Sequence, residues 1–197
     1  MRISKHQKLP LFPTMVWVYE LENLSDYYDA WIKYIDDQRQ AEDEAKGRST
    51  RNGWSGPKTL FQNADFKPLF DSAHKLFCLA FKDMGVIEGF RFRMEGWANV
   101  HDKNGFNHAH IHREAALSGC FYLSAPEGSG TICFHDPRPA TLYTRPLGNG
   151  VNKWEKICIK PKAGLFIIFP SWLEHSVELN ESDENRYSIA LNAISAS

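Results

Sequence analysis

Three histidines stand at alternate positions in the stretch Asn107-His-Ala-His-Ile-His-Arg113: His108, His110 and His112. On a β-strand, residues i, i+2 and i+4 share one face. Three imidazoles on one face make a poor core, because each neutral ring brings a donor and an acceptor that burial must satisfy. They make a good metal site, since imidazole is the commonest protein metal ligand. Two ligands two residues apart can hold one ion if a third comes from elsewhere in the fold. The best third candidate is His175, in Phe169-Pro-Ser-Trp-Leu-Glu-His175-Ser-Val177. A His pair at this spacing is more often surface or hydrogen-bonded structure than a ligand set. Here an apolar strand, Leu117–Leu123, follows the pair, the lone His175 lies in a β-rich stretch, and Arg186 falls on the next strand. Alternation also allows His108 in place of His112.

Composition bounds what such a site could serve. The chain has 197 residues, enough for one domain with a proper core. A net charge of −1 carries no basic excess, so neither nucleic acid nor an anionic membrane is an expected partner. The four cysteines, Cys78, Cys120, Cys133 and Cys158, form no C-x-x-C pair and sit in apolar runs. They read as buried, reduced thiols of a cytoplasmic protein. Met1–Lys8 is basic but no apolar segment of roughly 7–15 residues follows, so no signal peptide is expected. No apolar run approaches the ~18 residues of a membrane span.

The elements that must position the histidines come next. Leu11–Tyr19 is β-branched and aromatic and reads as a strand, with Pro13 suggesting a sheet edge. From Leu24 to Ala45, Leu24, Tyr28, Trp31, Ile32 and Ile35 recur at helical spacing, with Ser25-Asp26 as the start signal and a charged, solvated tail. Gly47–Pro57 reads as a loop. A second helix spans Asp65–Met84, with Pro68 in its first turn and Gly85 as its stop. Beyond Val86 the pattern is nearly all β: Phe90–Asn99, a turn at His101–Gly105, Phe106–His112, Leu117–Leu123 and Thr131–Phe134. A long loop follows at His135–Gly150, then Val151–Ile159, Leu165–Phe169, Ser176–Leu179 and Arg186–Ile194. Short strands between Gly/Pro turns, after two helices, make a mainly β jelly roll. One domain, 1–197, is expected, with helical cover over about 24–85 lying on a sheet and a jelly-roll core over about 86–195.

Several segments together carry a resemblance. They are Trp97-Ala-Asn99, Asn107-x-x-His110-x-His112, Leu117-Ser-Gly-Cys-Phe-Tyr122-Leu and Asp136-Pro-Arg138, with Pro161-Lys-Ala-Gly-Leu-Phe-Ile-Ile-Phe-Pro-Ser-Trp-Leu-Glu-His175 and Arg186-Tyr-Ser188-Ile-Ala-Leu-Asn192. The series resembles the 2-oxoglutarate–Fe(II) oxygenases of bacteria and phages, distantly similar to the prolyl hydroxylases. Leu11-Phe-Pro-Thr14 and Ser49–Leu60 resemble the N-terminal half of that family. The resemblance implies a double-stranded β-helix, cupin-like in form. His110 takes the place of the superfamily's first metal histidine, His112 that of its carboxylate and His175 that of the distal histidine. Arg186 takes the place of the residue pairing with the distal carboxylate of 2-oxoglutarate. Ser188 and Tyr122 match residues beside it, and Asn99 a polar strand residue near the co-substrate. His108 has no counterpart.

The implied activity is hydroxylation of an unidentified small molecule or peptide side chain, using Fe(II), 2-oxoglutarate and O₂ and releasing succinate and CO₂. The usual iron site is two His and one carboxylate, so His112 is a departure, and a third neutral ligand leaves the centre one charge more positive. A carboxylate among apolar strands needs a fixed cation, and a guanidinium can meet it with two parallel hydrogen bonds. Tyr187, Ile189 and Leu191 alternate with Arg186, Ser188 and Ala190, which puts Arg186 and Ser188 on one face rather than in a surface salt bridge. Asp136 and Arg138 could touch substrate or simply form an Asp-Pro turn. Trp172 is a packing residue or, less simply, a substrate platform. Two other function classes fit: a cupin-type dioxygenase with three His and no 2-oxoglutarate, and a non-catalytic jelly-roll binding or structural module. Arg186, Ser188 and Tyr122 speak against the first, and the intact His set against the second.

Overall fold

Strand β3 (Phe92–His110) shapes the molecule, because it joins two groups of strands in one sheet. Its first half pairs with β9 (Arg186–Ser195), from Phe92↔Ser195 to His101↔Arg186. Its last residues pair with β8 (His175–Val177), through Asn107↔Val177 and His110↔His175. The computed structural model describes residues 7, 12–41, 49–87, 89–139 and 156–196. Among these the other strands are β1 (Trp17–Glu20), β2 (Thr50–Ser55), β4 (Leu117–Ser124), β5 (Ile132–His135), β6 (Lys156–Ile159) and β7 (Leu165–Pro170). They run β1-β7-β4-β9-β3-β8-β5-β6, every ladder antiparallel, with β2 pairing β3 over Asn99–Asn107. The passage of β3 from one group to the other curls the sheet into a double-stranded β-helix.

Alternation sorts each strand between two cores. Ile189 and Leu191 of β9, Leu117 and Phe121 of β4, and Phe166 and Ile168 of β7 face the helices. These are α1 (Tyr28–Gln40) and α2 (Lys67–Asp83). Trp31 and Ile35 of α1 and Leu69, Ala73 and Phe77 of α2 complete that core, with Trp31 stacked on Phe66 at 5.1 Å. The opposite set, Tyr122, Ile132, Phe134, Leu165, Ile167, Phe169 and Leu173, fills the interior of the roll.

Several local expectations need correction. The expected loop at 47–57 contains strand β2, whose Thr50 and Ser55 are buried against β3; residues 47 and 48 lie outside the described set. The expected turn at His101–Gly105 is a bulge inside β3, where Asn104 takes φ +64° while the partner strand bends at Asn52 (φ +43°). β3 ends at His110, two residues early. The first expected strand begins at Trp17, as the edge its proline suggested. A 3₁₀ turn, Glu22–Tyr27, precedes α1 with no side-chain cap from Ser25 or Asp26. The tail of α1 is not simply solvated: Arg39 holds Asp102 in a two-fold pair at 2.8 and 2.6 Å, and the Tyr187 hydroxyl donates to Asp36 at 2.9 Å. Ala45, most of the 135–150 loop and the start of the Val151–Ile159 strand lie outside the described residues. The thiol expectation fails as well. Cys133 and Cys158, cross-strand partners on β5 and β6, form a disulfide, and Cys78 is exposed.

Candidate metal centre and co-substrate pocket

His110 at the end of β3 and His175 at the start of β8 are register partners, so the ladder alone brings two imidazoles together. His112, just past β3, joins them: the backbone N–H of His112 donates to the Ser171 carbonyl at 2.9 Å, which fixes the turn. One ring nitrogen of each of His110, His112 and His175 lies within 4.8 Å of the other two. His108 does not join; it is exposed and packs on the edge of Phe106.

The hydrogen bonds fix the tautomers. Nδ1 of His110 meets the His108 carbonyl at 2.8 Å, Nδ1 of His175 the Leu173 carbonyl at 3.0 Å, and Nδ1 of His112 the Asn192 Oδ1 at 2.9 Å. Each partner is an acceptor, so each Nδ1 carries the proton and each Nε2 keeps its lone pair. Burial lowers all three pKa values; His112 falls to about 4, with His110 adding to the effect, and His175 lies well below the ordinary imidazole value. Three neutral rings with lone pairs are what a divalent cation requires.

Along the same interior face of β9 lies Arg186, 1% exposed. Its Nη1 donates to the Ser129 and Gly130 carbonyls, while Nη2 is buried with no hydrogen-bond partner. Tyr122, fully buried, and Cys120 are its neighbours on β4, and burial pushes the Tyr122 hydroxyl well above its usual pKa. Ser188 is the register partner of both Asn99 and Tyr122. Asn99 is engaged on its other side, accepting from the Ser55 hydroxyl at 2.5 Å. Asp136 and Arg138 hold each other, at 2.9 and 2.6 Å, in a turn after β5. Trp172 is half exposed, at 52%, and is not a core packing residue.

Sequence reasoning missed His101, Asn107, Glu95, Ser118 and Asn192. His101 is 2% exposed, and its Nε2 contacts the Asn107 Oδ1, whose amide nitrogen donates to Ser49 and Thr50. The alternation from Arg186 through Ser188 and Ala190 to Asn192 was the available signal for Asn192.

The family model described as "Putative 2OG-Fe(II) oxygenase" matches residues 95–192, about half of the chain, including His110, His112, His175 and Arg186. The chain belongs to this family. No curated protein matches the oxygenase in sequence. Its fold is similar to that of a prolyl-4-hydroxylase from Pseudomonas putida, at 14% identity and TM-score 0.67, covering 93% of this chain and 94% of that one. HygX from Streptomyces hygroscopicus, with nickel and 2-oxoglutarate bound, is similar at 11% identity and TM-score 0.65, covering 93% and 84%. A Trichoplax adhaerens prolyl hydroxylase in complex with a hypoxia-inducible-factor peptide fragment is similar at 11% identity and TM-score 0.63, covering 91% and 83%.

The oxygenase's own residues fit the family's Fe(II) and 2-oxoglutarate. Three imidazole lone pairs suit Fe(II), and the unpartnered Arg186 Nη2 is a buried donor waiting for an anion.

Proposed function

We propose that the protein is a non-haem Fe(II)- and 2-oxoglutarate-dependent dioxygenase that hydroxylates a C–H bond and releases succinate and CO₂, acting as one domain over residues 1–197. One observation carries the reading: three neutral imidazoles and an arginine with a free buried N–H share the interior face of one roll. In it His110, His112 and His175 hold the metal. Arg186, with Ser188, Tyr122 and Asn99 around it, receives the distal carboxylate. Bound iron would activate O₂, the oxidant, with 2-oxoglutarate as the co-substrate oxidised to succinate and CO₂. The chain supplies orientation and dryness: the three Nδ1–H bonds fix the rings, and Tyr122, Ile132, Leu165 and Ile167 keep water from the pocket.

Asp136 and Arg138 stand just after β5, which pairs with the His175 strand, and Trp172 stands just before that strand, β8; these are the proposed substrate contacts. Solved neighbours hold a peptide fragment and hygromycin B, and the substrate here is a small molecule or a peptide side chain. Nucleic acid and membrane are not proposed partners; no described helix is long and apolar enough to cross a membrane. The reading places the protein in the cytoplasm, and the Cys133–Cys158 disulfide is the feature that pulls the other way.

Succinate formation tests the activity. It should require Fe(II) and O₂ and vanish in His110→Ala and His175→Ala. The three neutral ligands favour one second reading, a cupin-type dioxygenase, which iron-dependent O₂ uptake without succinate would select.

A further inference from the structure

We propose that Asn192 and Glu95 form an outer chain that positions His112 and couples to it a carboxylate that the three-His set lacks. The inference rests on the metal-site reading above. Three adjacent strands build the chain: Asn192 on β9 is the register partner of Glu95 on β3 and of Ser118 on β4. His112 Nδ1–H donates to the Asn192 Oδ1 at 2.9 Å, and the Ser118 hydroxyl donates to the same oxygen at 2.8 Å. The amide nitrogen of Asn192 donates to the Glu95 Oε1 at 3.1 Å. Two donors on one side and a carboxylate on the other leave the amide a single orientation. Asn192 is 4% and Ser118 0% exposed, so the middle of the chain is buried, while the Glu95 side chain at its end is 16% exposed.

The coupling is particular to His112. His110 and His175 bond to backbone carbonyls, which carry no charge. An amide that donates to an anion becomes a stronger acceptor at its oxygen, since hydrogen bonds in series polarise one another. The stronger acceptor draws on the His112 Nδ1–H and makes Nε2 a better donor to a metal. Three further contacts hold the chain in place. Lys58 pairs with Glu95 at 2.7 Å and lies 5.0 Å over the Trp97 ring, and Trp97 stacks on His112 at 5.6 Å. Asn192 and Glu95 are therefore positioning residues.

Co(II) titration of the metal-free protein, followed by its visible spectrum, tests this without turnover. Asn192→Leu should weaken Co(II) binding about 10- to 100-fold. Glu95→Gln keeps the Asn192 bond, never touches His112, and should weaken binding by less. The swap Asn192→Asp with Glu95→Gln keeps the bonds from His112 and Ser118, reverses the donor between positions 192 and 95, gives up the Lys58 bond to the same Glu95 oxygen, and moves the carboxylate onto His112. It should bind Co(II) at least as tightly as the parent, with altered absorption bands. Asn192→Leu matching the parent overturns the proposal. So does a swap as weak as Asn192→Leu, which would make Asn192 mere packing. Glu95→Gln equal to the parent overturns the role of the charge. A parent that binds no Co(II) removes the metal reading itself, a result distinct from all of these.

Discussion

Arg186 and His101 stand opposite each other on β9 and β3, and each holds a buried nitrogen without a hydrogen-bond partner. On Arg186 the nitrogen is Nη2, a donor. On His101 it is Nδ1. Because the Asn107 amide nitrogen donates to Ser49 and Thr50, its oxygen must accept from His101 Nε2, and Nδ1 is left as an acceptor. A buried polar group left unpaired costs roughly 1–3 kcal/mol. An anion would satisfy the Arg186 donor, whereas the His101 acceptor needs a donor.

Arg186→Ala should weaken 2-oxoglutarate binding about 10- to 100-fold, because charge-assisted hydrogen bonds contribute ~1.5–3 kcal/mol and ~1.4 kcal/mol is one decade. Arg186→Lys should recover only part, since an ammonium cannot both hold the Ser129 and Gly130 carbonyls and present a planar second nitrogen. Calorimetry on the Mn(II)-loaded protein measures both, and Mn(II) affinity should hardly change. Unchanged 2-oxoglutarate affinity in Arg186→Ala would leave a metal site without its reason for this co-substrate.

Acid should destabilise the metal-free protein before carboxylates titrate. Burial, with Arg186 adding, lowers His101 to about 3. An unfolded chain has this group near ~6.5. Between those values the unfolded state binds a proton that the folded state refuses, so stability is full above pH ~6.5 and falls as pH drops. The slope reaches about 1.4 kcal/mol per pH unit for one such group. His112, lowered to about 4, adds over a narrower window. Urea midpoints at pH 7.5, 6 and 5 measure this, and a flat profile would contradict neutral burial of His101.

The candidate histidines were legible because spacing and strand alternation are properties of the chain itself, but alternation allowed His108 as well as His112, and His112 joins His110 and His175 from beyond the end of β3. Arg186 and Ser188 were legible for the same reason. Strand β2 was not: Arg51, Asn52 and Gly53 have poor strand propensity, and the strand exists because β3 pairs with it and buries Thr50 and Ser55. The bulge at 102–105 reads as a turn because Asp102, Lys103, Asn104 and Gly105 are turn residues; the backbone contacts of Asn104 and Gly105 with Asn180, 2.7 and 2.9 Å, keep the strand going. Alternation places Asn192 on the interior face but does not say that His112 and Glu95 meet it there.

The Cys133–Cys158 bridge gives a direct chemical prediction. Alkylation in denaturant without reductant should label two cysteines, Cys78 and Cys120, and all four after reduction. The bridge spans a sequence separation of 25, and a chain-entropy account assigns a loop of that size about 3.5 kcal/mol. Cys133→Ser should lower the melting temperature accordingly. Four labelled thiols without reductant would restore the reduced state that the sequence suggested.

The turn that anchors Arg186 can be tested separately from Arg186. Gly130 takes φ +81°, and a Cβ there would run into the carbonyl oxygens of Glu178 and Leu179. Gly128, two residues earlier, has φ +76°, but the nearest atom to an added Cβ is the Ser182 nitrogen at 3.9 Å. Alanine at either site carries the left-handed penalty, roughly 1–2 kcal/mol. Only at Gly130 must the backbone also move, and its carbonyl, with that of Ser129, holds Arg186 Nη1. Gly130→Ala should therefore lose both thermal stability and 2-oxoglutarate affinity, whereas Gly128→Ala should lose stability with 2-oxoglutarate affinity unchanged. Equal 2-oxoglutarate binding in the two variants would mean that Arg186 keeps its place without this turn, through its packing against Tyr122 and Cys120 alone.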